Sequence, residues 1–203
     1  MFIVLEGPEG AGKSTLARAL VPFLPLAAPD PNRVKLTREP GEGDFGREVR
    51  NLLLHQNAMS PRAELFLFLA DRSQHVDAYI KPALANGDWV ICDRYRDSTF
   101  VYQAIARNQD PDFIRTANAF AIAGCEPDLT LLLDLPAEAG LARVQDANRL
   151  DREPIDFHRS VRNGFLQLAQ TQPNWVVLDA TAPPELVLNA ALDAIRKSQP
   201  GVL

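Results

Sequence analysis

The chain has 203 residues, 46% of them hydrophobic, and 26 acids against 21 bases give it a formal net charge of -5. The bases are 17 Arg and only four Lys, which favours fixed, planar anion clamps over a diffuse lysine surface, because a guanidinium grips phosphate bidentately. That balance argues against nonspecific binding to nucleic acid or an acidic membrane, and the apolar content excludes the disordered and fibrous classes.

In chain order, the first apolar run, Phe2 to Leu5, leads directly into Gly7-Pro8-Glu9-Gly10-Ala11-Gly12-Lys13-Ser14, followed by Thr15 and a short stretch of helical character to about Val21. This is G-x-x-x-x-G-K-[ST] in its required strand and helix context. Its glycines let consecutive N–H groups converge on phosphate, Lys13 reaches the terminal phosphates, and the Ser14 hydroxyl can ligate magnesium. A nucleoside triphosphate site follows. Glu9 is unusual there, since a carboxylate in an anion-binding loop is unfavourable unless it has its own partner; a substrate hydroxyl is one.

Four prolines between Pro22 and Pro31 predict a stiff surface loop. A second strand is expected at Val34 to Thr37, with Arg38 just after it. Gly41-Glu42-Gly43-Asp44-Phe45-Gly46 fits G-x-G-x-x-G but lacks the chain context of a dinucleotide site, and reads as a flexible loop. A long helix is expected from Pro61, capped by Ser60, to about Asn86, with Gly87 as its left-handed stop. A third strand covers Trp89 to Cys92 and runs into Asp93-Arg94.

Further helices are expected at Pro111 to Ala123, Ala137 to Asp146, Asp156 to Gln170 and Pro184 to Lys197, with strands at Leu129 to Leu133 and Trp175 to Leu178. Five apolar runs alternating with helices predict an α/β fold: a five-stranded parallel sheet flanked by helices on both faces, in one domain spanning 1–203. The polar, charged stretch at 147–155 is the expected site of a short lid. Carboxyl ends of parallel strands share an edge, so Arg38 and Arg94 should face the phosphate loop. Asp93 and Asp134, which end the third and fourth strands, both suit a magnesium site, with Asp93 favoured because Arg94 follows at once. Cys92 and Cys125 read as neutral buried thiols, and no run approaches the roughly 18 apolar residues of a bilayer span, so a reducing, cytoplasmic setting is expected.

The set Gly7 to Thr15, Thr37-Arg-Glu-Pro-Gly41, Leu67-Phe-Leu-Ala-Asp-Arg72, Asp93-Arg-Tyr95 with Ser98-Thr99 and Tyr102-Gln103, and Leu150-Asp-Arg152 resembles the bacterial thymidylate kinases, in order and over essentially the whole chain. The resemblance implies a P-loop NTPase fold, transfer of the γ-phosphoryl of ATP to dTMP with Mg2+, and a homodimer. By motif it implies that Phe68 stacks on thymine, Arg72 meets the base's carbonyl edge, and Arg38 and Arg94 clamp the acceptor phosphate. Glu9 would meet the sugar 3'-hydroxyl, Ser98, Thr99 and Gln103 would line the pocket, and Tyr102 would crowd the 2'-position. Ser14 and Asp93 would serve the metal, while Arg143 would pack on adenine beside a loop at Asp179 to Thr181.

The family supplies a transition-state cation either from the phosphate loop or from the lid. Pro8, Glu9, Gly10 and Ala11 contain no base, so Arg149 and Arg152 are the expected sources. Departures from the family pattern are Glu42 and Gly43 after Gly41, and a shortened lid after Arg152. The alternatives are another nucleoside monophosphate or deoxynucleoside kinase, or a nucleotide-binding switch. For the switch, Asn148-Arg-Leu-Asp151 vaguely resembles a guanine reader, but no D-x-x-G accompanies it.

Overall fold

The structure is a computed structural model that describes residues 1–25, 29–55 and 59–199. Five strands, β1 (Phe2–Glu6), β2 (Val34–Arg38), β3 (Trp89–Asp93), β4 (Leu129–Asp134) and β5 (Trp175–Asp179), form an all-parallel sheet in the order β2-β3-β1-β4-β5. Each strand runs one residue past its apolar run, to Glu6, Arg38, Asp93, Asp134 and Asp179, so all five end in a charge on one rim. The central strands β1, β3 and β4 are buried on both faces, as expected; the edge strands β2 and β5 are only half-buried.

Alternate strand residues divide between two layers because successive side chains point to opposite faces. Ile3, Leu5, Ile91, Leu131 and Leu133 pack with Leu16 and Leu20 of α1 (Lys13–Leu20) and Ile195 of α9 (Pro184–Ser198). Phe2, Val4, Val90 and Cys92 pack on the other face with Val76, Ile80, Tyr95 and Ile122, while Leu132 meets Val101, Val161 and Phe165. Both cysteines are free and buried.

Local chemistry explains several helix ends. Ser60 caps α3 (Pro61–His75) by accepting from the Ala63 amide at 3.3 Å, and Asp110 caps α6 (Pro111–Ile122) through the Asp112 and Phe113 amides. The long helix after Pro61 continues to Ala85 as expected, through a π-helical turn at Val76–Ile80 into α4 (Lys81–Ala85). Pro82 explains the wide turn: it has no N–H to give, and its ring clashes with a regular preceding turn. Gly87, at φ 77°, is the left-handed stop.

Three expectations are corrected. The glycine-rich stretch from Gly41 is not a loop throughout: α2 (Gly43–His55) starts at Gly43, and Gly46, Val49 and Leu53 bury one stripe against α3. Packing overrides the poor helix propensity of its glycines. The helix expected at Ala137 to Asp146 is α7 (Ala137–Arg143), ending where Val144 turns extended, and α8 (Ile155–Ala169) begins after the lid. A helical segment not foreseen, α5 (Arg96–Thr99) with a π-helical continuation Phe100–Ala106, carries Ser98, Thr99, Tyr102 and Gln103. The proline-rich segment contains short 3-10 turns at Val21–Phe23 and Pro31–Arg33; positions 26–28 lie outside the described residues. No described helix is long and apolar enough to cross a membrane.

Candidate active site

Two cavities lie along the charged rim. One is lined by the loop from Gly10 through Thr15, by Arg143 of α7, and by Ala180 and Ala182 after β5. The other is lined by Glu9, Arg38, Arg50, Phe68, Arg72, Arg94, Ser98, Thr99, Tyr102 and Gln103, and by Asn148, Leu150 and Asp151 of the lid segment. They share Gly10, Lys13, Ser14 and Asp93.

The phosphate loop is shaped by backbone that only glycine adopts easily. Gly7, Gly10 and Gly12 all have positive φ, and a Cβ on Gly10 would lie 2.1 Å from the Gly140 carbonyl oxygen. Gly140, inside α7, matches it: its own Cβ would meet the Glu9 carbonyl at 2.2 Å. Helix α7 therefore seats directly on the loop. Lys13 donates to the Gly7 and Pro8 carbonyls at 2.9 and 2.7 Å. Burial pushes its pKa down to about 8, aided by Arg94 and opposed by Asp93, Glu9 and Glu6. Arg143 donates to Gly10 and Ala180, bridging the loop to the segment after β5.

The Ser14 hydroxyl donates to Asp93 at 2.5 Å, so a hydroxyl and a carboxylate oxygen stand together beside Lys13, a hard-oxygen donor set that suits magnesium. Asp134, the other carboxylate considered for that role, is bound bidentately by Arg162 at 2.7 and 2.9 Å and is absent from both cavity linings.

Glu9 does have the partners its position demands. It accepts from Arg94 at 3.1 Å, from the Tyr102 hydroxyl, and from His158 Nδ1 at 3.3 Å. Burial alone would raise its pKa, but the His158 hydrogen bond and the charges of Arg94 and Lys13 outweigh this and hold it at about 2. Arg94, at φ 71°, turns its guanidinium over the Tyr102 ring, 5.1 Å from the centroid, and also donates to Ser98. Glu6 beneath accepts from the Tyr95 and Ser98 amides and the Ser98 hydroxyl.

Arg72 is 1% exposed and already donates to Glu39, Thr99, Asn118 and the Tyr95 carbonyl, leaving one of its five N–H groups for a ligand. Gln103 spends its amide nitrogen on Glu64, while its carbonyl oxygen is buried with no partner among the described residues. Phe68 faces this cavity, whereas its neighbour Phe66 is 56% exposed.

Sequence reading missed several groups. Arg50, on α2, adds a third guanidinium to Arg38 and Arg94; burial and Arg38 lower its pKa. His158 on α8 reaches Glu9, and Glu64 on α3 holds Gln103, Arg107 and Arg149; the sequence pattern singles out neither for a role. Arg149 and Arg152 line neither cavity above, but a third one between the lid and the end of α2. Glu39, His75 and Cys92 cluster within 4.8 Å, yet both His75 nitrogens are engaged, by Glu39 and Thr37, so the trio reads as a support under the second loop. There Thr37 also donates to Glu42, giving that unusual residue a structural place.

A family profile described as thymidylate kinase matches residues 5–191. The chain belongs to the thymidylate kinase family. It is 46% identical over 208 aligned positions to a thymidylate kinase of Desulfovibrio desulfuricans, covering 96% of this chain and 94% of that protein. With one of a Synechococcus species it shares 48% over 177 positions, covering 87% and 84%. The crystal structure of thymidylate kinase from Ehrlichia chaffeensis superposes with a TM-score of 0.79 at 31% identity, covering 96% of this chain and 98% of that one. As a member of this family the chain is a nucleoside monophosphate kinase that transfers phosphoryl from ATP to dTMP.

Proposed function

We propose that ATP occupies the cavity along Gly10 to Thr15 and dTMP the cavity around Phe68, so that the γ-phosphoryl crosses where the two meet, at Lys13, Ser14 and Asp93. The shared junction is the observation that carries this reading: in-line transfer needs donor and acceptor phosphates on either side of one cluster of charge. Lys13 exchanges its carbonyl partners for the donor phosphates. Arg143 packs on adenine, beside the segment following Asp179.

In the acceptor cavity Phe68 stacks on thymine and the free Arg72 N–H meets a base carbonyl. The unpartnered Gln103 oxygen accepts from the ring N–H, which a buried acceptor without a partner strongly favours. Arg38, Arg50 and Arg94 hold the 5'-phosphate, and Ser98 and Thr99 fix Arg94 and Arg72. Glu9 accepts from the 3'-hydroxyl, and Tyr102, held against Glu9, fills the space a 2'-hydroxyl would need.

No general base is required. The attacking atom is a phosphate oxygen already ionised near neutrality; it bonds to the γ-phosphorus as the bond to the bridging oxygen of ADP breaks. Glu9, held at about 2, is too weak a base for proton transfer and serves to orient. Magnesium at Ser14 and Asp93 would neutralise charge on the donor phosphates. Arg152, exposed and without an ion pair among the described residues, supplies the remaining cation from the lid.

The same reading takes the chain as one kinase domain with a lid at 147–155, paired as a homodimer. Exposed Phe45 and Leu52 on α2, Phe66 on α3, and Phe113 and Phe120 on α6 support the pairing, because these three helices pack side by side and Phe66 meets Phe113 edge-on at 6.4 Å. The test is an assay of dTMP, dUMP, dCMP, UMP and thymidine as acceptors with ATP and Mg2+. The dTMP rate is expected to exceed every other; faster turnover of any cytidine or ribonucleotide acceptor would overturn the assigned pocket.

A further inference from the structure

The lid is fastened at both ends to one buried carboxylate. Arg149 Nη2 donates to Glu64 at 2.5 Å while its Nε donates to the Leu53 carbonyl at 3.0 Å. Glu64, on α3, is 1% exposed and also accepts from Arg107 at 2.6 Å. Arg107 in turn donates to Glu153, at the far end of the lid, at 2.8 Å. These are not ordinary surface pairs of the kind that contribute little. The side chains of Arg149 and Arg107 are 18% and 15% exposed, and their charge-assisted bonds converge where water is excluded.

The third group on Glu64 is Gln103, which lines the acceptor cavity; its amide nitrogen donates to Glu64 at 2.9 Å and its carbonyl oxygen is buried without a partner among the described residues. Leu150 and Asp151, between the two fastenings, line that same cavity together with Asn148 just before them, while Arg149 and Arg152 line the third cavity.

We propose that Arg149 is a latch rather than a phosphoryl-contacting arginine: it closes the lid by docking on Glu64, and Gln103 ties that docking to the base in the acceptor cavity. The inference rests on the acceptor site assigned above. Arg149 and Glu64 are then positioning residues, and acceptor binding and lid closure are one coupled event. Glu64 anchors the far end only through Arg107, so loss of Arg149 releases the near end of the lid without removing a charge from the transferring group.

Arg149→Ala and Arg149→Lys, made in the full chain, test this by hydrogen exchange of the lid amides and by steady-state kinetics. With the latch removed, Arg149→Ala is expected to speed exchange across 147–155 about tenfold, with or without dTMP, as an opened local structure does. KM for dTMP should rise about tenfold, while kcat at saturation stays within about threefold, because only binding-coupled closure is lost. Arg149→Lys, which keeps a charge for Glu64 but loses the Leu53 contact, should recover part of the KM.

An arginine contacting the transferred phosphoryl would behave oppositely, with kcat falling about 10³-fold and lid exchange unchanged, and that outcome would overturn the proposal. A Glu64→Gln background provides a second check. There Arg149→Ala should change KM less than about twofold, and full additivity of the two changes would count against the coupling. Exchange measured without ligand reads the latch even if wild-type chain were to fail with dTMP, so failure of the latch and failure of the acceptor assignment are told apart.

Discussion

At the scale of single residues, the arginines divide by what already holds them. Arg72, Arg107, Arg149 and Arg162 are bonded to buried or rim carboxylates, whereas Arg152 is exposed. Arg152→Ala is therefore expected to lower turnover about 10³-fold while KM for dTMP changes less than about threefold. Steady-state kinetics check this, and unchanged turnover would remove Arg152 from the chemistry. Lys13 gives a pH prediction. Its lowered pKa of about 8 means that the free chain loses this charge as pH rises through that value. In the proposed donor site protonated Lys13 is the form that binds triphosphate, so kcat/KM for ATP should fall about tenfold per pH unit above about 8. A flat profile to higher pH would show that Lys13 keeps its proton in the free chain. Residues in the phosphate loop were legible because their partners are neighbours in sequence. His158 meets Glu9 across 149 positions and Arg149 meets Glu64 across 85, distances over which spacing carries no signal.

At the scale of elements, helix α2 shows where local sequence and tertiary context diverge. Gly41, Gly43 and Gly46 read as loop, yet Gly46 is needed because α2 lies so close to its surroundings. A Cβ there would stand 2.8 Å from Asp71 Oδ1 and 2.9 Å from the Gly41 carbonyl carbon. The backbone contact cannot yield as a side chain would. Gly46→Ala is expected to destabilise the fold by about 1–3 kcal/mol, the range for overpacking. Because Arg50 sits one turn further along α2, the same change should weaken dTMP binding more than ATP binding. Denaturant unfolding and the two KM values measure these effects; equal effects on both substrates would break the link between α2 and the acceptor phosphate. Helix α5 with its π-helical continuation was hidden for another reason. Its sequence opens with Arg96-Asp97-Ser98-Thr99, polar and β-branched, and its order comes from packing on α6 and α8.

For the whole molecule, exposed apolar side chains form a band across α2, α3 and α6. Light scattering of the chain at micromolar concentration is expected to give the mass of a dimer, and Phe66→Asp with Phe120→Asp the mass of a monomer. A wild-type monomer would leave the band to another role. The sheet order was not deducible from the order of the apolar runs, since five parallel strands can be arranged in several ways that bury the same residues. The rim on which they end was deducible, because parallel strands share it.

That polarity has a consequence for how the protein tolerates change. Each strand begins in an uncharged residue at one rim and ends in a charge at the other, and five or six residues of strand separate the two by about 13 Å or more. Substitutions farther apart than about 10 Å without shared partners act nearly independently. On the proposed function, alterations at Val90 therefore act on the lifetime of the folded state and alterations at Asp93 on the chemistry, so that β3 can vary at its two ends under separate selection, whereas in β1 the two ends stay linked because Phe2 and Glu6 both meet Tyr95.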